Sequence, residues 1–182
     1  MNHLSDEQLM VQLMQGNRQA AAVLYDRYQP RVYGYFVRMA SDRESARDLT
    51  QNTFLRVIRY AATWKDDKTF VYWLFRIARN VLADFYSNTR HFSEFDNHPE
   101  IGAKDAETSV RESEVRESYE MLLEAMNQLP PGYREIIELN RFQGFSYREI
   151  AAATDSNENA VKVKTFRAIQ KLKEIYEKIM VE

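Results

Sequence analysis

Ser146-Tyr-Arg-Glu-Ile-Ala-Ala-Ala-Thr-Asp-Ser-Asn157 runs directly into Glu158-Asn-Ala-Val-Lys-Val-Lys-Thr-Phe-Arg-Ala-Ile-Gln-Lys-Leu-Lys173. Ser146 followed three residues later by Glu149 is a capping box, a start signal for a helix. That helix ends near Ala153, because Thr154-Asp-Ser-Asn157 is a run of turn formers. Residues 158–179 then form a long basic helix. Within 158–173, Lys162, Lys164, Arg167, Lys171 and Lys173 stand against Glu158 alone, a local net charge of +4. A short helix, a turn and a longer basic helix make a helix-turn-helix pattern. In that pattern the second helix enters the DNA major groove, and its first half meets base edges. Asn159, Lys162, Lys164, Thr165 and Arg167 are the candidates for that contact. Arg and Lys donate to guanine, and Asn pairs with adenine. Arg148 and Lys171 are further cations for the same DNA, and phosphate contacts of this kind supply salt-dependent affinity. An ordinary helical hairpin with a solvated basic face would use the same residues, so the pattern alone leaves both readings open.

Upstream, 133–141 makes a short helix with Ile136, Ile137 and Leu139, and Gln143-Gly-Phe145 turns the chain. Residues 111–128 make another helix with Met121, Leu122, Ala125 and Met126 inward, and Leu129-Pro-Pro-Gly132 ends it. Before it comes an acidic stretch. Residues 93–114 hold seven Asp/Glu against two Lys/Arg, include Pro99 and Gly102, and show no helical or strand period. It is read as a flexible linker at 91–112, with a long surface loop as the alternative. The expected domains are 1–90 and 113–182.

The N-terminal part is also helical by pattern. Ser5-Asp-Glu-Gln8 is a capping box, with Leu9 and Leu13 behind it and Gly16 as a stop. A second helix runs from near Arg18 to about Pro30, where the chain kinks or a new segment starts. Val32, Tyr35, Phe36 and Met39 continue the spacing. Ser41-Asp-Arg-Glu44 is a third capping box, opening a helix through Tyr60. Residues 61–68 break the period and form a loop. Thr69 then caps a helix from Phe70 to about Tyr86, with Leu74, Ile77, Ala78, Val81 and Phe85 inward. The expected fold class is all-α, two small helical domains with no strand.

Composition narrows the chemistry. Among 182 residues there are 5 Gly, 4 Pro, no Cys and 3 His. So few breakers argue against an all-β fold. Without Cys there is no disulfide, zinc-thiolate site, iron–sulfur cluster or thiol nucleophile. His3, His91 and His98 form no i, i+4 pair, which argues against a histidine metal centre. No phosphate loop, nucleophile elbow or His-Glu-x-x-His is present. We therefore expect no catalytic residue, no cofactor and no metal. The longest apolar run, Ala20–Tyr25, falls short of the about 20 residues of a membrane helix. The expectation is a soluble cytoplasmic protein with no membrane insertion.

The net charge of −2 hides an asymmetry. Residues 1–90 hold 13 Lys/Arg against 9 Asp/Glu, so two basic surfaces flank the acidic stretch. Asp48, Gln51, Asn52 and Leu55 recur at i, i+3, i+4 and i+7, a polar stripe with one apolar member that suits a partner helix or solvent. Trp64 and Lys65 sit in a loop beside a helix face with Trp73, Arg76, Asn80 and Asp84. Aromatics stack on unpaired bases, cations hold the backbone and amides read base edges. Both tryptophans are also readable as core residues, Trp73 above all, since large aromatics at helical spacing usually pack.

Taken together, these segments resemble the extracytoplasmic-function group of bacterial RNA polymerase sigma factors over nearly the whole chain. Asp6-Glu-Gln-Leu9, Gly16-Asn-Arg-Gln-Ala20 and Leu24-Tyr-Asp-Arg-Tyr28 resemble that family's region 2.1. Ala46-Arg-Asp-Leu-Thr-Gln-Asn-Thr-Phe-Leu55 resembles region 2.2, and Trp73-Leu-Phe-Arg-Ile-Ala-Arg-Asn80 resembles region 2.4. Gly144-Phe-Ser-Tyr-Arg-Glu-Ile-Ala151 and Ala160-Val-Lys-Val-Lys164 through Leu172 resemble region 4. The resemblance implies roles. Asp48, Gln51, Asn52 and Leu55 would meet the β′ clamp helices of core polymerase. Trp64, Lys65, Lys68 and Thr69 would capture a base flipped from the −10 element, and Trp73, Arg76, Arg79 and Asn80 would bind −10 DNA. Arg148 and the 158–172 helix would read the −35 element. The linker would thread toward the RNA exit path, region 4 would meet the β flap, and an anti-sigma factor would hold the protein in check. Catalysis would belong to the polymerase, so the chain is not expected to be an enzyme. A stand-alone helix-turn-helix regulator is the alternative. The chain departs from the family pattern in places, among them Ala160, Val163 and Thr165, where Thr, Ser and Leu are often found. Asn52 stands where Glu is usual, and Thr154-Asp-Ser156 stands where Leu-Gly-Ile is usual. Asp tolerates a positive φ better than most residues but less well than Gly, and Ser156 weakens the packing between the two helices.

Overall fold

The computed structural model describes residues 3–40, 42–65, 69–90 and 110–181. It divides into two compact units, Met1–His98 and Pro99–Glu182. Among the described residues no strand occurs. Residues 91–109, most of the expected linker, lie outside the described residues.

Unit 1 holds α1 (Asp6–Met14), α2 (Arg18–Ala40), α3 (Arg43–Tyr60), a 3-10 turn (Ala61–Thr63) and α4 (Phe70–Arg90). Ser5 caps α1 as expected, its hydroxyl accepting from Gln8 N while Gln8 Oε1 accepts from Ser5 N. Gly16 takes φ 92, the left-handed stop that a side chain resists. α2 does not end at Pro30 but runs through it to Ala40. Val32, Tyr35, Phe36 and Met39 are all buried beyond the proline, and their packing outweighs the one lost backbone bond. α3 is capped by Asp42 rather than Ser41, which lies outside the described residues; the Asp42 carboxylate accepts from Glu44 N at 3.3 Å and Ser45 N at 2.7 Å. α1 is pinned to α2 by Asp6, which accepts from Arg27 Nη1 at 2.8 Å and from the Tyr28 hydroxyl. Burial, reinforced by Asp6, pushes the Tyr28 phenol well above its ordinary range. The core is aromatic: Phe36, Phe75 and Phe70 are buried with Tyr35, and Tyr35 meets Phe36 and Phe75 edge-on at 5.1 and 5.6 Å. Edge-to-face pairs like these add about 0.5–1.5 kcal/mol beyond area burial.

Unit 2 holds α5 (Val110–Asn127), α6 (Pro131–Ile137), a π-helical segment (Glu138–Phe142), α7 (Tyr147–Ala153) and α8 (Glu158–Ile179). α5 begins at Val110, so the last residues of the expected linker are helical. The expected 133–141 helix starts two residues earlier and widens to π geometry at its end. That wide turn buries Glu138 beside Gln143, whose amide donates to Glu138 Oε1 at 2.8 Å. Ser146 and Glu149 close the capping box that starts α7.

The turn between α7 and α8 closes without glycine. Asp155 takes φ 49, and Ser156 N donates back to Ala151 O at 3.0 Å, the six-to-one bond of a Schellman ending. The Thr154 hydroxyl donates to Ile150 O at 2.8 Å. Asn157 then caps α8 by accepting from Ala160 N at 2.8 Å. The two-helix geometry therefore forms with Asp in the position that glycine usually fills.

Candidate nucleic-acid interface

α3 has two faces. Ala46, Leu49, Thr53, Phe54 and Val57 are buried, the threonine hydroxyl satisfied by Leu49 O at 2.8 Å. Asp48, Gln51, Asn52 and Leu55 stand exposed in one stripe on the other side. Leu55 is 68% exposed, and Ile58 one position on from it in the helical repeat is exposed as well. Asn52 Oδ1 accepts from Arg56 Nε at 3.0 Å, and Arg56 Nη1 pairs with Asp84 of α4 at 2.7 Å. Sequence reasoning missed what lies beside the stripe. An apolar groove of about 470 Å³ runs between α2 and α3, lined by Ala21, Ala22, Tyr25, Gln51, Leu55 and Ile58. Tyr25 packs edge-on against Phe54 at 4.9 Å in its wall. The signal was in the sequence: Leu55 and Ile58 both fall off the buried face of α3.

The second face belongs to α4. Arg76 and Asn80 are exposed, and Trp73 and Arg79 are half-buried. The Trp73 ring lies 6.2 Å from Phe70 at 43°. Lys65 and Thr69 are exposed, and the Thr69 carbonyl accepts from Tyr72 N at 3.1 Å; Lys68 lies outside the described residues. Trp64 corrects the sequence reading. It is 4% exposed, because the 3-10 turn closes on it (Trp64 N to Ala61 O, 3.0 Å) and its extended backbone sends the ring inward. Its indole Nε1 is buried without a hydrogen-bond partner. In this conformation the ring cannot stack on a base. Of the two tryptophans, the one in the loop is core, and the one on the helix reaches solvent.

The third face is α8. Val161, Thr165, Ala168 and Ile175 form its buried stripe. Asn159, Lys162, Lys164, Arg167 and Lys171 are exposed, as is Arg148 on α7. Lys171 Nζ lies 3.1 Å from Glu174. Lys164 reaches toward the start of α6, where a Cβ on Gly132 would sit 2.9 Å from its Nζ. Thr165 is a correction: it is 1% exposed, and its hydroxyl donates to Val161 O at 2.8 Å. That bond lets a polar residue occupy a core position at little cost. In its place the structure exposes Val163 and Phe166, the latter 66% exposed between the cations. Both fall outside the 161/165/168/175 spacing, so the period of the helix already marked them. Among the described residues no group of metal-ligating side chains occurs, and no helix is long and apolar enough to cross a membrane.

Comparison with known proteins gives this geometry its family. A model of sigma-70 region 2 matches residues 24–92, and a model of sigma-70 region 4 matches residues 119–172. The chain is 33% identical over 174 residues to the ECF RNA polymerase sigma factor BldN of Streptomyces coelicolor, covering 92% of this chain and 66% of that one. It is 30% identical over 179 residues to the RNA polymerase sigma factor CarQ of Myxococcus xanthus, covering 95% and 98% of the two chains. Its fold is similar to that of the sigma factor RpoE of Bartonella quintana, solved with the anti-sigma factor NepR: the TM-score is 0.64 at 22% identity, over 84% of this chain and 94% of that one. Helical units matching regions 2 and 4 in order, and a relative covered almost end to end, place the chain in the sigma-70 family of RNA polymerase sigma factors, in its extracytoplasmic-function group.

Proposed function

We propose that the chain performs its sigma role through three separate faces. α3 takes the β′ clamp helices of core polymerase, α4 takes the opened −10 element, and α8 takes the −35 duplex. The observation that carries the reading is the α3 stripe. Asp48, Gln51 and Asn52 offer hydrogen bonds, and exposed Leu55 offers an apolar anchor beside a groove that fits one edge of a helix. The same groove is where an anti-sigma factor would compete. Asn52 in place of the usual glutamate removes one charge from this contact, while its side-chain carbonyl accepts from Arg56 Nε.

On α4, Trp73, Arg76 and Asn80 supply a ring, a cation and an amide for an unpaired strand. Extruding a base costs a few kcal/mol, which stacking in a fitted pocket offsets. Strand opening then needs no ATP and no active site in this chain. Trp64 supports the base-binding loop from beneath. On α8, Lys162 and Arg167 address guanine or phosphate, Asn159 addresses adenine, and Phe166 and Val163 meet thymine methyls. The linker and region 4 extend along the polymerase toward the RNA exit path and the β flap.

Titration of core polymerase with the wild-type chain and with the double variant Asp48→Ala/Gln51→Ala tests the α3 assignment. The expected loss is tenfold or more in affinity with the helical content retained, equivalent to about 1.4 kcal/mol. An unchanged dissociation constant contradicts it. Tight duplex binding without polymerase, and none to polymerase, favours a stand-alone regulator instead.

A further inference from the structure

The groove beside the α3 stripe carries charges of opposite sign at its two ends. Arg18 and Asp26, both exposed, line it from α2. Among the described residues neither of them holds an ion-pair partner. Arg18, Ala22 and Asp26 recur at i, i+4 and i+8, so they share one side of α2. At about 1.5 Å of rise per residue the two charges stand about 12 Å apart, with Ala22 midway. Ala21 and Ala22 keep the middle of the groove low enough for another helix to approach closely. Tyr25 of α2, with Leu55 and Ile58 of α3, leaves large apolar surface exposed along the same line. An exposed apolar patch rimmed by polar groups marks an association surface.

We infer that this groove takes a second copy of the chain, with the two α2 helices antiparallel across a two-fold axis near Ala22. Rotation about that axis brings Arg18 of each copy to Asp26 of the other, so one charge pair forms twice. A parallel arrangement would set Arg18 against Arg18 and Asp26 against Asp26, which like-charge repulsion disfavours. A partner of one sign would satisfy one end of the groove and repel the other. The face is thus complementary to itself. Tyr25, Leu55 and Ile58 of each copy then cover one another. Exposed ion pairs add little affinity but fix the orientation. The patch spans parts of only two helices, so the contact is weak and a larger partner displaces it. Seated there, the second copy hides Leu55 and the adjoining edge of the α3 stripe from core polymerase. That consequence rests on the polymerase reading of α3 above; the pairing itself does not.

The test follows the full chain by sedimentation equilibrium across the micromolar range, beside Arg18→Asp, Asp26→Arg and the double swap Arg18→Asp/Asp26→Arg. The wild type should show a monomer–dimer equilibrium. Each single reversal sets like charges face to face at both ends of the groove, and should raise the dissociation constant about tenfold or more with helical content retained. An equimolar mixture of the two single variants should form a mixed dimer, because every facing pair is again opposite in sign. The double swap should pair with itself as the wild type does. A wild type that stays monomeric while binding core polymerase overturns the inference and leaves the groove to the polymerase. So does a dimer unmoved by either reversal, or a mixture of folded variants that does not re-form it. Should a reversal unfold the chain, Arg18→Gln/Asp26→Asn takes its place: a weaker dimer supports the inference, and an unchanged one overturns it. In a second arm, core polymerase is added to dimer carrying a donor dye on one copy and an acceptor on the other. Energy transfer should fall as core binds, and transfer that persists in the polymerase-bound chain overturns the covering of α3. A chain that pairs as described yet never binds core overturns the polymerase reading of α3 and upholds the pairing.

Discussion

The two units solve the same problem in opposite ways. Unit 1 packs large rings, with Tyr35, Phe36, Phe70 and Phe75 fully buried among long helices. Unit 2 has a smaller, mainly aliphatic core, with Met126, Ile137, Leu139 and Ile150 fully buried, and joins its short α7 to α8 through closely bonded helix ends: a capping box at Ser146, a Schellman turn at Asp155 and a cap at Asn157. Aromatic volume dominates the first core, and aliphatic side chains dominate the second. The proposed binding faces follow the same division. In unit 1 they are whole helix sides held rigid by a deep core. In unit 2 one helix is aimed by the turn that precedes it.

The largest effect should come from emptying the aromatic core. Phe36→Ala should destabilise unit 1 by about 3–5 kcal/mol. Thermal melts followed by ring fluorescence should show unit 1 unfolding early while the α5–α8 transition stays in place. A single transition moving as a whole would break the comparison. Trp64→Phe is the counter-case in the same core. It leaves a small cavity but removes a buried unpartnered N–H, a group whose desolvation costs about 1–3 kcal/mol. Chemical denaturation should therefore show a much smaller change than Phe36→Ala, with promoter affinity nearly unchanged because the ring is not exposed.

In unit 2 the sensitive positions are at helix ends. Asp155→Val should cost about 1–2 kcal/mol, since a β-branched residue resists φ 49, whereas Asp155→Gly should hold or raise stability. Urea midpoints of the two variants should move in opposite directions or differ by that amount. Equal midpoints would mean that the turn does not hold the pair of helices.

The smallest and most selective difference is in acid. Hydrogen bonds from Ser45, and then from Glu44 N, hold the Asp42 carboxyl below its ordinary value of 3.8. Its folded pKa is depressed, so its contribution is present above the unfolded value and lost as pH falls through the lower folded one. The α3 cap should therefore weaken below about pH 3.8. The α8 cap is an amide and does not titrate. Comparing Asp42→Asn with the wild type by melts at neutral and acid pH should show a difference that shrinks in acid. The same comparison with Asn157→Ala should show a loss of about 0.5–2 kcal/mol that does not.

Much of this architecture was legible in the residues. The capping boxes at Ser5 and Ser146 and the stop at Gly16 each state a local hydrogen-bonding solution, and each formed as expected. The misreadings arose where tertiary packing competes with a local rule. Pro30 does not end α2, because the buried residues after it hold the helix in register. Ser41-Asp42 offers two good caps in succession, and only the backbone decides between them. Trp64 and Thr165 carry polar atoms in segments read as binding surfaces. Their burial depends on which way the turn and the helix face, which short-range pattern does not fix. Phe166 and Leu55 show the reverse: an apolar side chain off the core period stays exposed, as its place in the helical repeat indicates.

The central claim is that both units address a promoter on behalf of polymerase. Run-off transcription with sigma-free bacterial core polymerase on a genomic promoter library tests it most directly. The account predicts new start sites preceded by a shared −35 and −10 pair, lost with Asp48→Ala/Gln51→Ala and with alanine at Lys162 and Arg167. Tight core binding without any shared start sites would contradict it.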